Sequence, residues 1–181
     1  MSIKRVCVYC GASLGNNPNF AKAAKELGHL LAKENIELVY GGGKVGLMGV
    51  LADAVLEKGG KVIGIIPQKL VDKEQAHRGL QDLRIVNDMH ERKATMAALA
   101  DAFIALPGGF GTMEELFEVL TWSQIGYHQK PVAVLEVDNY YEHLNNFINH
   151  AKTTGLLKPE FAQFFQLTHS VQDAWKALQG V

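Results

Sequence analysis

The sequence predicts one α/β domain built on a doubly wound parallel sheet with helices on both faces. Two observations carry the prediction. Continuous apolar runs rich in β-branched residues alternate along the chain with segments whose apolar residues recur at helical spacing. Strands that are apolar throughout belong to sheets covered on both sides, and such sheets are parallel. The 181 residues also hold no Pro/Ser-rich linker, internal repeat or low-complexity stretch, so a single domain is expected over 1–181.

Ile3–Tyr9 reads as the first strand, and Asn19–Lys33 as a helix with Phe20, Ala23, Ala24, Leu27, Leu30 and Leu31 on one face. Ile36–Tyr40 is a second strand. In Gly46–Lys58, Leu47, Val50, Leu51, Ala54 and Val55 repeat the helical spacing. Lys61–Ile66 is a third strand, stopped by Pro67. Residues 67–82 combine Pro67, Gly79 and mixed charge and form the longest irregular segment. Leu83–Val86 is a short strand, Met89–Leu99 a helix, and Ala102–Leu106 a strand ended by Pro107. Met113–Gly126, Val132–Val137 and Tyr140–Thr153 give helix, strand and helix. Phe164–Leu167 and Val171–Leu178 give a last short strand and helix. This is a Rossmann-like arrangement, in which ligands bind outside the carboxyl ends of the strands. Three of those ends are unusual: CGASLG (10–15), GGGKVGLMG (41–49) and PGGFGTMEE (107–115).

Charge narrows the partners. Eighteen Lys and Arg nearly balance nineteen Asp and Glu, for a net charge of -1. That argues against a nucleic-acid stripe or a polybasic membrane patch. No apolar run approaches a membrane span, and MSIKRVCVY lacks the long apolar core of a signal peptide, so a cytoplasmic location is expected. Cys7 and Cys10 form a C-x-x-C, but Cys7 lies inside the apolar run Val6-Cys7-Val8-Tyr9 rather than at a helix start. Cys7 reads as a small core residue, and two ligands do not make a zinc site.

Gly41-x-Gly43-x-x-Gly46 has the dinucleotide spacing and follows a strand. The next strand, however, ends Ile65-Ile66-Pro67-Gln68-Lys69, without the carboxylate that holds a ribose hydroxyl. Gly46 and Gly49 are explained equally by close helix packing. The stretch 107–115 raises a sharper question, because two carboxylates follow a glycine turn of the kind that receives anions. Thr112 is placed as an N-cap with Glu115 three residues on, which is a capping box. Gly108, Gly109 and Gly111 equally let the backbone approach a phosphate, with the acid facing a part of the substrate that becomes cationic. Both readings stand at this point. Arg92 and Lys93 open the preceding helix, where cations oppose the macrodipole, so an anionic partner is expected. His90 reads as a surface residue.

PGGFGTMEE, the upstream MHERKATM and GGGKVGLMG together resemble the LONELY GUY family of cytokinin-activating phosphoribohydrolases, long labelled lysine decarboxylase-like. The resemblance runs from the CVYCGAS strand end to the tail. It implies a Rossmann-like homodimer that hydrolyses the N-glycosidic bond of a purine riboside 5′-monophosphate, with no organic cofactor and no metal. By position, Arg92 and Glu115 match the family's catalytic pair. Lys93, Gly108, Gly109, Phe110, Gly111, Thr112, Met113 and Glu114 fall in its nucleotide-binding stretches, with Ser13 and Gly43 in the two earlier loops. Glu74 matches a substrate-contacting glutamate. Phe110 occupies the variable position of P-G-G-x-G-T, and Ala12 stands where serine is expected.

Three rivals remain. A pyridoxal-phosphate decarboxylase needs a Schiff-base lysine with an acid for the pyridinium nitrogen, and no lysine here has such a setting. A non-enzymatic nucleotide carrier of the same fold would bind AMP without releasing base. A general AMP nucleosidase differs only in its base.

Overall fold

The computed structural model describes residues 3–71 and 75–180. Strands β1 (Arg5–Tyr9), β2 (Glu37–Tyr40), β3 (Val62–Pro67), β4 (Asp82–Val86), β5 (Ala102–Ala105), β6 (Val132–Leu135) and β7 (Gln166–Thr168) form one sheet. Its order is β4-β3-β2-β1-β5-β6-β7, and every adjacent pair is parallel. The helices are α1 (Pro18–Lys33), α2 (Gly46–Glu57), α3 (Met89–Leu99), α4 (Phe110–Gln124), α5 (Glu142–Thr153), α6 (Pro159–Ala162) and α7 (Val171–Gln179). The doubly wound fold expected from the sequence is the fold observed. No helix among the described residues is long and apolar enough to cross a membrane.

Side chains alternate across a strand, so parity sorts them between the two faces. Val6, Val8, Leu38, Tyr40 and Ile104 pack with α1, α2 and α7. Cys7, Tyr9, Val39, Ile65 and Phe103 pack with α3 and α4. Each central strand must therefore be apolar at both parities, which is why the sequence shows continuous runs.

Two boundaries differ from expectation. Helix α4 begins at Phe110, three residues before Met113, and α6, opened by Pro159 at its first turn, was not expected. Among its described residues the irregular segment holds a single 3₁₀ turn, Gln68–Leu70. Its later part folds against the second glycine stretch. Gly43 bridges Ala76, Lys44 N–H donates to Gln75 O at 3.0 Å, and His77 N–H donates to Gly42 O at 2.9 Å.

The sheet winds outward from its middle. From β1 the chain proceeds to β2 and β3 by way of α1 and α2 on one face; from β5 it proceeds to β6 by way of α4 on the other. The loops after β1 and β5 thus diverge, and a crevice opens between them at the carboxyl edge. CGASLG and PGGFG are those two loops.

Candidate active site

Pro107, Gly108 and Gly109 leave β5 at this switch point and turn into α4. Gly109 is the N-cap and supplies no side-chain bond. The first-turn N–H groups of a helix have no intrahelical partners, so this start, with the positive end of the macrodipole, is suited to receive an anion. Of the two readings of Thr112 and Glu115, the capping box is not the one the helix start follows, since the N-cap is Gly109. Because the helix starts at Phe110, Thr112 lies inside the first turn, buried at 3% exposure. Its Oγ1 covers Gly108, where an added Cβ would lie 2.1 Å away. Glu115 falls in the second turn, half-buried, with no capping duty.

On α3, Asp88 accepts from Glu91 N–H at 2.9 Å, and the Glu91 carboxylate accepts from Asn87 N–H at 2.8 Å. The bond from Glu91 N–H holds the Asp88 carboxyl below its usual range. This reciprocal cap fixes the helix start, and the next turn aims Arg92 inward. Its Nη2 donates to Gly41 O at 2.7 Å and its Nε to Ile65 O at 3.1 Å, while Nη1 lies 3.7 Å from Met89 Sδ. Glycine at 41 makes room for this guanidinium, since a Cβ would come within 2.1 Å of Nη2 and push it aside. The second glycine stretch therefore begins as a seat for a guanidinium.

Arg92 and Glu115 both act on the end of β1. Burial raises the Cys10 thiol pKa, Glu115 pushes it further up, and Arg92 pulls it back. Burial and then Glu115 likewise raise Cys7. Both thiols are free and buried, Cys7 as expected for a core residue. An arginine and a carboxylate thus stand by the carboxyl end of β1, beside the start of α4.

The other predicted site residues divide. Lys93 Nζ is buried and donates to Glu114 at 2.5 Å and Glu118 at 3.1 Å, so two of them are partners of each other. Burial works against the ammonium, but the two carboxylates outweigh it and raise its pKa. Phe110 is 97% exposed, and Met113 packs half-buried against the core of its face. Ser13 is exposed, and with Gly11, Pro107, Gly108, Gly109 and Tyr140 it lines a cavity of about 430 Å³ in the crevice. Gly43 is not in that lining. It is buried, accepts Tyr40 Oη–H at 3.1 Å and bridges Ala76, so it joins two loops instead. Glu74 lies outside the described residues.

The dinucleotide spacing has a different use. Gly46, at φ 61°, would place a Cβ 2.3 Å from the backbone of Ala12 and Ser13, and Leu47 N–H donates to Gly11 O at 3.0 Å. The backbone of the first loop occupies the N-terminus of α2, where a pyrophosphate would have to lie. Close packing accounts for Gly46. Among the described residues no group of three or more His, Cys, Asp or Glu comes together to hold a metal ion.

Two contributors were missed by sequence reading. Tyr140 Oη donates to Gly108 O at 2.5 Å and Tyr141 Oη to Leu106 O at 2.6 Å. No motif marks them, because their partners are backbone carbonyls more than thirty residues away.

These features define an α/β protein with a glycine-rich helix start, a buried arginine and a carboxylate at the switch point of its sheet. The family described as "Possible lysine decarboxylase" matches residues 48–178. "Cytokinin riboside 5'-monophosphate phosphoribohydrolase LOG1" of Arabidopsis thaliana is 47% identical over 97% of this chain and 83% of its own length. The protein of that name from Rhodococcoides fascians is 50% identical over 86% of this chain and 79% of its own. The chain belongs to this family. The fold is shared more widely. The molybdenum cofactor binding protein from Rippkaea orientalis superposes with a TM-score of 0.75 at 23% identity, covering 99% of this chain and 98% of its own. The molybdenum cofactor carrier protein of Chlamydomonas reinhardtii gives 0.73 at 20%, with the same coverage. At such identities the likeness is one of fold.

Proposed function

We propose that the protein hydrolyses the N-glycosidic bond of a purine riboside 5′-monophosphate, AMP or an N6-prenylated AMP, to free base and ribose 5-phosphate. The observation that carries this reading is the placement of a carboxylate one turn along a helix whose glycine-rich start suits an anion, with Arg92 seated nearby. A substrate with a phosphate at one end and a sugar that becomes cationic at the other fits that arrangement. Relatives near 50% identity that are named phosphoribohydrolases favour hydrolysis over carriage.

When the C1′–N9 bond breaks, its electron pair stays on the base and positive charge spreads over C1′ and the ring oxygen. Glu115 stabilises that charge and orients the attacking water. The water's hydroxyl ends on C1′ and its proton on the base. The α4 start holds the phosphate, and Arg92 faces phosphate or ribose oxygens. Cradle and acid serve opposite ends of one substrate. The enzyme works in this reading as a cytoplasmic homodimer.

Base release from AMP, GMP, CMP, N6-isopentenyl-AMP and adenosine, followed by HPLC, tests the proposal. Purine monophosphates are expected to react and adenosine is not. Equal rates for AMP and adenosine would remove the phosphate from the mechanism. Tight AMP binding without base release would point to a carrier.

A further inference from the structure

The loop between β6 and α5 ends in two consecutive tyrosines, and both reach back to the turn between β5 and α4. Tyr140 holds Gly108 O and Tyr141 holds Leu106 O, so the pair grips the turn on both sides of Pro107. Neither ring is loose. Tyr140 meets Phe20 edge to face with centroids 5.4 Å apart, and Tyr141 meets Tyr140 in the same way at 5.0 Å. Tyr141 is buried, and its own N–H donates to the Glu136 carboxylate at 2.9 Å.

The two grips control different things. A peptide unit is planar and trans, so its C=O and N–H point in opposite directions. Fixing Gly108 O fixes the direction of Gly109 N–H, which belongs to the same unit and stands at the N-cap of α4. Fixing Leu106 O directs no donor, because that unit ends at the Pro107 nitrogen. The Gly108–Gly109 unit also needs an external hold. Gly108 is packed under Thr112 and Gly11, but a Cβ at Gly109 would meet nothing within 4 Å, so packing restrains the unit on one side only. If the unit rotated, the carbonyl dipole would face the anion in place of the N–H.

We infer that Tyr140 is a positioning residue for the substrate phosphate. By holding Gly108 O away from the receptor it aims Gly109 N–H into it, whereas Tyr141 stabilises the turn without directing a donor. The inference rests on the phosphate reading of the α4 start given above.

Tyr140→Phe keeps the ring contacts and removes only the donor; Tyr141→Phe is its control. Calorimetric titration with ribose 5-phosphate and with inorganic phosphate reads the receptor without requiring turnover. Tyr140→Phe is expected to weaken both ligands roughly tenfold, the size of one lost hydrogen bond to a charged group. KM for AMP should rise by the same factor with kcat within about threefold and Tm little changed. Tyr141→Phe should lower Tm and leave both affinities in place. Unchanged affinities in Tyr140→Phe, or losses in both variants that merely follow Tm, overturn the inference. A parent that binds ribose 5-phosphate but releases no base sinks the hydrolase reading and leaves this comparison intact. A parent that binds neither phosphate ligand overturns both.

Discussion

At Glu115 the side chain has no capping duty in the helix that carries it, because α4 starts at Phe110 and Thr112 is not the N-cap. Glu115→Gln keeps the shape and removes the charge. It is expected to lower kcat by roughly 10²-fold, as for one lost electrostatic stabiliser, while circular dichroism reports a folded chain. Survival of activity in that variant would remove Glu115 from the mechanism. Gly41 supplies a second test. An alanine methyl would lie 2.1 Å from Arg92 Nη2, so the guanidinium must shift from this geometry. Gly41→Ala should lose activity on the scale of Arg92→Ala, roughly 10²-fold, although its backbone contacts a side chain rather than the reacting atoms. Rates equal to the parent's would mean the seat is dispensable. The sequence marks Gly41 as special but not for this reason, since its partner lies 51 positions away. Spacing within a loop cannot reveal a distant side chain packed on it.

The start of α4 was misread for a related reason. Glycine is a poor helix former, so propensity starts the helix after the last glycine, while the fold places Gly109 at the cap and Gly111 in the first turn. Strands and long helices were legible because burial on both faces writes itself into composition. Pairings between elements were not. The tie from α3 to α4 is one of these: Lys93 donates to both Glu114 and Glu118. Lys93→Met keeps the apolar stem and removes the tie. It should cost about 1 kcal/mol at neutral pH, discounted because Glu114 is exposed. The folded pKa of Lys93 is raised, so its contribution is fully present below the unfolded pKa and fades as pH rises through the folded one. Urea melts at pH 7, 9 and 11 should therefore give parent and variant a constant gap that closes only at the alkaline end. A gap that is the same at pH 11 as at pH 7 would mean the ion pairs contribute nothing.

For the whole molecule the open quantity is the number of chains. Helix α4 uses Leu116 and Val119 for the sheet, while Met113, Leu120 and Trp122 lie half-buried beside them. A stripe at i, i+7 and i+15 stays outside: Phe110, Phe117 and Ile125 are exposed, and Tyr127 follows just beyond the helix. Scattered apolar residues on a surface need no explanation, but several along one ridge suit a face that meets another protein. Thr121 and Gln124 on the same ridge are uncharged, and Glu114, also on it, is already paired with Lys93, so pairing this face with its own copy would bring no unpaired charge from these three. Light scattering at micromolar concentration is expected to give roughly twice the 19.9 kDa of one chain. Phe117→Asp combined with Ile125→Asp places like charges opposite each other in a two-fold contact and should return the monomer mass with the circular dichroism spectrum unchanged. Phe110 is left alone, because it also borders the anion receptor and would confound the reading. A parent with monomer mass would refute the dimer; a dimer that survives both aspartates would move the contact away from α4.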